Sequence, residues 1–260
     1  MLTLNSFQFL LSIFLTFGIL KLTLPIFSKF VFDEPNIRSS HIKRKPTSAG
    51  IVFLITSILG FALDGNYLPS LTLPLALAGF VDDLKNLSSK IRFSIQIFTV
   101  IIIGFFTNFF NETFYLFDNN YFFIFFIGLI YIFLSCGVIN FINFMDGIDG
   151  LVASNMIIIF SVISINSDFN LLPIIGPLIG FIFFNWFPSK IFMGDVGSTY
   201  LGALFIIFLL QANTLIDASS IFLLASPLLL DSLTCLFARF FNGYNIFSPH
   251  KSHLYQRLNQ

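Results

Sequence analysis

An all-α, polytopic helical bundle embedded in a membrane is the fold class this sequence predicts, and three observations predict it. Apolar residues make up 56% of the 260 residues and charged ones only 10%, too little polar surface to cover a water-soluble globule of that size. Apolar runs approaching the roughly 20 residues a bilayer requires recur from end to end; being continuous rather than alternating, they select helices over a barrel. Lysine and arginine collect in alternate connections between those runs, as in cytoplasmic loops.

The first run, near residues 8–32, has no basic residue before Lys21 and no small-residue cleavage site behind it, so it is expected to persist as a span. The next two, near 50–64 and 67–81, are short. Read as separate helices, they leave Lys29, Arg38, Lys43, Arg44, Lys45, Lys85, Lys90, Arg92, Lys190, Arg239, Lys251 and Arg257 on one side, with Lys21 inside the first span. Read as one kinked span, they would scatter these cations over both faces, against the positive-inside tendency. Runs near 93–110, 121–142, 151–166, 171–187, 196–213 and 215–238 bring the expected total to about nine spans, with the N-terminus outside and the C-terminus cytoplasmic. With no linker, low-complexity tract or internal repeat, residues 1–260 read as a single membrane-embedded domain.

Outer connections at 64–69, 111–120, 166–170 and 213–217 contain no Lys or Arg. Inner connections at 33–49, 82–92, 143–150, 188–198 and 239–260 carry the cations and nearly all recognisable motifs, so function is expected on the cytoplasmic face. The formal net charge of zero conceals this sidedness. Basic loops beside a bilayer suit anionic headgroups or an anionic substrate, and no nucleic acid partner is needed to explain them. Cys136 and Cys235 lie in apolar runs as small hydrophobes, implying neither a disulfide nor a CxxC metal site.

Several acidic and carboxamide motifs close the inner ends of these runs. Asp82 and Asp83 follow Gly79-Phe80-Val81, and adjacent carboxylates at a membrane surface repel unless a cation stands near, whether a divalent metal or Lys85 and Arg92. Asn143, Asp146, Gly147 and Asp149 share the octapeptide 143–150. Asp195 stands between Gly194 and Gly197 where a span begins, a place for a helix cap or for a carboxylate that orients a metal-bound phosphate. Asn185 offers a carboxamide able to read a nucleobase edge or an amide. His250 and His253, with Lys251 between and Arg239 upstream, suit phosphate oxygens. His41 has the same chemistry with fewer charged neighbours, and Asp231 is an ionisable group within the ninth run. Any one of these could be a solvated cap; their repetition on one face asks for an anionic, metal-chelating substrate reachable from cytosol and bilayer. A nucleotide diphosphate and a lipid phosphate fit, and phosphoryl transfer between them needs mainly alignment and charge neutralisation.

In this order the motifs 33–41, Gly79 to Asp83, Asn143 to Leu151, Asn185 to Gly202 and Ser248 to Arg257 resemble those of the polyprenyl-phosphate N-acetylhexosamine-1-phosphate transferases, which include the phospho-MurNAc-pentapeptide transferases of peptidoglycan synthesis. The histidine motif is most similar to the branch that starts O-antigen and related lipopolysaccharide glycans. The resemblance implies transfer of an aminosugar 1-phosphate from a UDP-N-acetylaminosugar to undecaprenyl phosphate with Mg²⁺, or Mn²⁺ in its place, releasing UMP at the inner face of the plasma membrane. It implies Asp195 as metal ligand, Asp82 and Asp83 at the lipid phosphate with Asp82 taking its proton, and Asp146 as a third catalytic carboxylate. Asn143, Gly147, Asp149 and Asn185 would frame the nucleotide pocket, and Arg239, His250 and His253 would steady the diphosphate or sugar. Direct attack by the lipid phosphate is favoured over an aspartyl-phosphate route, because the phosphate already carries a nucleophilic oxygen. The resemblance also allows a homodimer.

Three departures accompany it. Thr47-Ser48-Ala49-Gly50 stands where relatives have a more glycine-rich turn, Lys85 follows Asp82 one position earlier than in the peptidoglycan branch, and relatives commonly continue past the equivalent of Gln260 into a tenth span. The domain is therefore expected to lack the family's last helix. Rival readings are a truncated inactive family member, a secondary transporter using the membrane carboxylates, and an intramembrane aspartyl protease pairing Asp195 with Asp146.

Overall fold

The computed structural model describes residues 2–34, 44–118 and 120–243, and these are nearly all helical. In chain order they form α1 (Leu2–Phe30), β1 (Phe32–Asp33), β2 (Lys45–Pro46), α2 (Gly50–Leu63), a 3-10 turn (Leu68–Thr72), α3 (Leu73–Lys85), α4 (Ser89–Phe106), α5 (Phe109–Leu116), α6 (Tyr121–Met145), α7 (Leu151–Asn166), α8 (Leu172–Asn185), α9 (Gly194–Leu210), α10 (Leu215–Leu224) and α11 (Ser226–Phe241). Each apolar run of the sequence folds as helix. Among the described residues α1, α4 and α6 are long and apolar enough to cross a bilayer, α10 with α11 would make a fourth such span, and α2, α7, α8 and α9 are shorter apolar helices. The architecture is that of a polytopic membrane helical protein.

The structure corrects two sequence expectations. The connection expected over 111–120 contains α5, because Phe109 and Phe110 dock on Tyr131 of α6 with ring centroids 4.4 and 5.7 Å away. The ninth run is not one straight helix: it breaks between α10 and α11 with a bend of 70°. Pro227, in the first turn of α11, has no N–H to continue the preceding helix and crowds the residue before it.

Helix α9 forms the centre, and every residue from Val196 to Phe208 is buried, as expected for a helix apolar on all sides. Helices α2, α3 and α6 pack around it. Between apolar helices in lipid, close van der Waals approach replaces the hydrophobic drive, so small residues mark the contacts. A Cβ on Gly50 of α2 would collide with the backbone of Gly197, one on Gly79 of α3 would lie 2.7 Å from the Asp195 carbonyl, and one on Gly202 of α9 would lie 2.9 Å from the Ile139 Cα of α6. Helix α8 meets α1 in the same way: Gly180 faces the Ile13 carbonyl. Several polar groups inside the bundle pair with one another, as hydrocarbon favours: Ser57 with Tyr200 at 2.6 Å, Thr16 with Thr56 at 2.9 Å, and Gln96 Nε2 donating to the Cys136 carbonyl at 3.0 Å. Large apolar side chains left exposed, such as Phe125 and Phe133 of α6, face outward where lipid would meet them.

The short hairpin β1–β2, with Phe32 opposite Pro46 and Asp33 opposite Lys45, delivers residues 47–50 to the start of α9. There Phe192 N–H donates to the Pro46 carbonyl (2.9 Å), Ala49 N–H to Phe192 (3.1 Å) and Gly50 N–H to Met193 (2.9 Å).

Gly50→Val should lower stability by about 1–3 kcal/mol or more, since its side chain has only the α9 backbone to displace. Gly18→Ala, with nothing within 4 Å of the added carbon, should be neutral or slightly stabilising. Thermal unfolding of the two variants in detergent, followed by loss of monodisperse protein, tests the contrast; equal behaviour would refute the close-contact reading.

Candidate active site

Helices α3, α4 and α9 bring three carboxylates and a guanidinium to one point. Asp82 and Asp83 occupy the last turn of α3, which ends at Asn86 in a left-handed conformation. That reversal aims the Leu87 N–H at Asp82 Oδ1, 2.6 Å away. Ser88 then caps α4 by accepting from Ile91 N–H, which fixes Arg92 in the first turn. Arg92 Nη1 donates to Asp82 Oδ2 at 2.8 Å and to Asp195 Oδ2 at 3.3 Å. The two carboxyl groups also lie within hydrogen-bonding reach of each other.

Asp83 points the other way, onto the start of α9. Its Oδ1 accepts the Asp195 N–H at 2.9 Å, its Oδ2 accepts the Ser48 hydroxyl at 2.7 Å, and the Val196 N–H adds a third donor. A carboxylate on the first amides of a helix satisfies donors that no helical carbonyl can reach and meets the positive end of the helix dipole. Two backbone positions depend on this fit. Ser48 is held at φ 67°, and Gly194 at φ 72°, where a side chain would also run into the Asp83 carboxylate.

A second group of residues forms at the α6–α7 turn. Asp149 accepts from the Ser189 N–H (2.8 Å), from the Ser189 hydroxyl (2.7 Å) and from Lys45 Nζ, 3.3 Å from both carboxylate oxygens. Lys45 also donates to the Ser189 oxygen at 2.7 Å. Asn185 uses both ends of its amide internally, accepting from Gly150 N–H and donating to the Ile191 carbonyl, each at 3.0 Å. At 2% exposure it joins two loops, leaving no free edge to a ligand. Asn143 accepts the Ser198 hydroxyl at 2.5 Å, tying α6 to the first turn of α9. Gly147 is half-buried in the turn between Asp146 and Asp149. Arg239 is buried in the last turn of α11, on the helix packed against α6, with Cys235 one turn before it. His250, His253 and His41 lie outside the described residues.

The carboxyls respond differently to this setting. Burial raises Asp195 well above the ordinary carboxylate range, the charges of Asp83 and Asp82 add to the shift, and Arg92 offsets part of it. Burial pushes Asp83 up to about 6, although Ser48 and the α9 amides hold it down. Asp146 is pushed up to about 8 by burial and then by the charges of Asp83, Asp33 and Asp149. Asp149 moves the opposite way: burial works against its charge, but the two Ser189 donors and Lys45 outweigh it.

Among the described residues no three acidic, histidine or cysteine side chains surround one point as a closed metal cage would. Asp82 and Asp195 nevertheless converge on one cationic atom, Arg92 Nη1. Mg²⁺ commonly keeps several waters and takes one or two carboxylates together with substrate phosphates, so this pair fits an ion that arrives with a diphosphate. Sequence reasoning treated Arg92 only as an ion-pair partner, counted Lys45 only among the inner cations and Ser48 only in the turn that departs from relatives, and did not single out Ser189. Arg92 reaches Asp82 across only 10 residues, but its pairing with Asp195 and those of Lys45, Ser48 and Ser189 span 35 to 144 residues of chain, beyond any local motif.

Asp146 yields a pH prediction. Its folded pKa of about 8 lies above the ordinary value of 3.8, so between these limits the folded state binds more protons than the unfolded one and stability falls as pH rises. Thermal unfolding measured from pH 5 to 8 should show Asp146→Asn losing less stability over that window than the unmodified chain. Parallel curves would refute the assignment.

Comparison with known proteins assigns the family. Residues 67–213 match glycosyl transferase family 4. The chain is 28% identical over 250 residues to a probable undecaprenyl-phosphate N-acetylglucosaminyl 1-phosphate transferase of Bacillus subtilis, covering 87% of this chain and 69% of that protein. It is 32% identical to a phospho-N-acetylmuramoyl-pentapeptide-transferase of Wolbachia pipientis (68% of this chain, 65% of the relative). It is 31% identical to one from Staphylococcus saprophyticus (75% and 73%). The alignments thus span about two thirds of each relative's length. A match over more than half of the residues, one that takes in Asp82, Asp83, Asp146 and Asp195, places this chain in glycosyl transferase family 4.

Proposed function

We propose that the protein transfers an N-acetylaminosugar 1-phosphate from a UDP-sugar to undecaprenyl phosphate, releasing UMP and starting a lipid-linked cell-envelope glycan of the O-antigen or a related kind. The observation that carries this reading is the convergence of Asp82 and Asp195 on one cationic atom beside the α6–α7 turn, in a chain whose relatives are named for this reaction. With about nine spans and the N-terminus outside, the arrangement the positive-inside tendency favours, the carboxylates would face the cytosol, where UDP-sugars are made.

Asp195 and Asp82 would hold Mg²⁺, or Mn²⁺ in its place. The ion would neutralise the diphosphate charge that builds up as the bond to UMP breaks. Asp83, bound to Ser48 and the α9 amides, keeps Asp195 at its position. Asp146, pushed up to about 8, keeps its own proton near neutral pH until bound positive charge eases its ionisation; it would then take the lipid phosphate's proton, the role the resemblance implied for Asp82, whose oxygens accept from Leu87 and Arg92. The Asp149–Lys45–Ser189 group and the Asn143–Ser198 pair border the space for the nucleotide, with Asn185 and Gly147 shaping the turn beside it. Arg239, His250 and His253 add cationic donors for the diphosphate or sugar. Direct attack by the lipid phosphate needs no covalent intermediate on the protein.

Purified protein in detergent with undecaprenyl phosphate, Mg²⁺ and a panel of UDP-N-acetylaminosugars should release UMP with one donor preferred. Asp195→Asn should lower the rate about 10²-fold or more, the scale seen when one preorganised electrostatic contact is removed. Folded protein that forms no UMP with any donor would refute the proposal and favour an inactive family member. Substrate uptake into vesicles without UMP formation would favour a transporter.

A further inference from the structure

The contact that gathers the most charge in the described residues is one the proposed reaction does not need in its present form. Arg92 Nη1 stands between Asp82 Oδ2 and Asp195 Oδ2, at 2.8 and 3.3 Å, so a divalent ion held by the pair through these oxygens would meet the guanidinium. Asp82 Oδ1 is engaged by the Leu87 N–H, while both oxygens of Asp83 are taken by Ser48 and the start of α9. A divalent ion held by the same two oxygens would stand close to the guanidinium, and the two cations would repel. Without a cation there, two ionised carboxylates this close would repel and drift apart.

We propose that Arg92 and a divalent ion are mutually exclusive partners of Asp82 and Asp195: the guanidinium presets the spacing of the carboxylate pair, and the ion must displace it to bind. This inference rests on the metal-dependent reading of the site given above. Arg92 suits such an exchange. Its side chain is 45% exposed, so the guanidinium can return to water or turn to an incoming phosphate without crossing apolar material. Its planar donors also match a carboxylate pair better than an ammonium would. Arg92 is thus a positioning residue that lowers the site's affinity for free ions in exchange for keeping the site assembled.

The test measures Mn²⁺ binding to the full chain in detergent by the loss of the free-ion electron paramagnetic resonance signal, with no sugar nucleotide or lipid phosphate present. Arg92→Gln should bind Mn²⁺ about tenfold more tightly than the unmodified protein, since charge-assisted contacts no longer compete. Arg92→Lys, which keeps the charge but loses the planar fork, should fall between. Without the ion Arg92→Gln should unfold at a lower temperature, and saturating Mn²⁺ should restore more of its stability than it adds to the unmodified protein. Size-exclusion profiles confirm folding of each variant. Weaker or unchanged Mn²⁺ affinity in Arg92→Gln overturns the inference; if Asp195→Asn still abolishes binding, the metal site itself stands. An absence of Mn²⁺ binding in every folded variant overturns both the exclusion and the metal-dependent reading.

Discussion

The carboxylate of Asp83 on the first amides of α9 is the contact from which the geometry of this site follows. It joins three segments distant in sequence: the end of α3, the turn at Ser48 and the start of α9. Hydrogen bonds to a charged group contribute about 1.5–3 kcal/mol each, whereas removing a carboxylate from water costs several kcal/mol. The three donors oppose that cost without cancelling it: burial, with the charge of Asp82 beside it, pushes Asp83 up to about 6. A group held against such a cost is a sound anchor only while all three segments stay together.

Close helix packing keeps them together. Gly79 brings α3 against the Asp195 backbone, and Gly50 brings α2 against Gly197. Larger residues at these positions would lift α3 and α2 off α9 and carry Asp82, Asp83 and Ser48 away from Asp195. The glycines are therefore as much a part of the site as the carboxylates are, although none bears a reactive group. In lipid, where apolar side chains gain nothing by leaving the solvent, this steric fit supplies much of the helix association.

The sequence made the apolar runs legible because a bilayer imposes one continuous, length-matched pattern on every span. The acidic positions were legible because charge at a membrane end is costly enough to be noticed. Helix α5 and the bend before α11 were less so. The first depends on aromatic docking against Tyr131 across a connection, and the second on Pro227 inside a run that hydropathy reads as uninterrupted. The partners of the carboxylates were hidden for a different reason. Arg92 reaches Asp195 across 103 residues and Lys45 reaches Asp149 across 104. Only packing around α9 sets those pairings. Asn185 was legible as a polar residue at a helix end, but its two internal hydrogen bonds make it a joint between loops.

Asp146 and Asp149 lie three residues apart in one turn, yet their environments push them in opposite directions. Asp149 receives two donors from Ser189 and the charge of Lys45, and so stays anionic. Asp146 is pushed up to about 8 by burial first and then by the charges of Asp83, Asp33 and Asp149. Titratable neighbours forced apart in this way mark a division of labour: the anionic member fixes a lysine and a loop, and the protonated member is poised to exchange a proton. Because Asp83 is among the charges acting on Asp146, the α9 anchor and the proton-exchanging group are electrostatically linked. Any cation that settles between Asp82 and Asp195 would lower the surrounding negative potential and ease ionisation of Asp146. Charge arriving with the substrate would then ready the base as it fills the site.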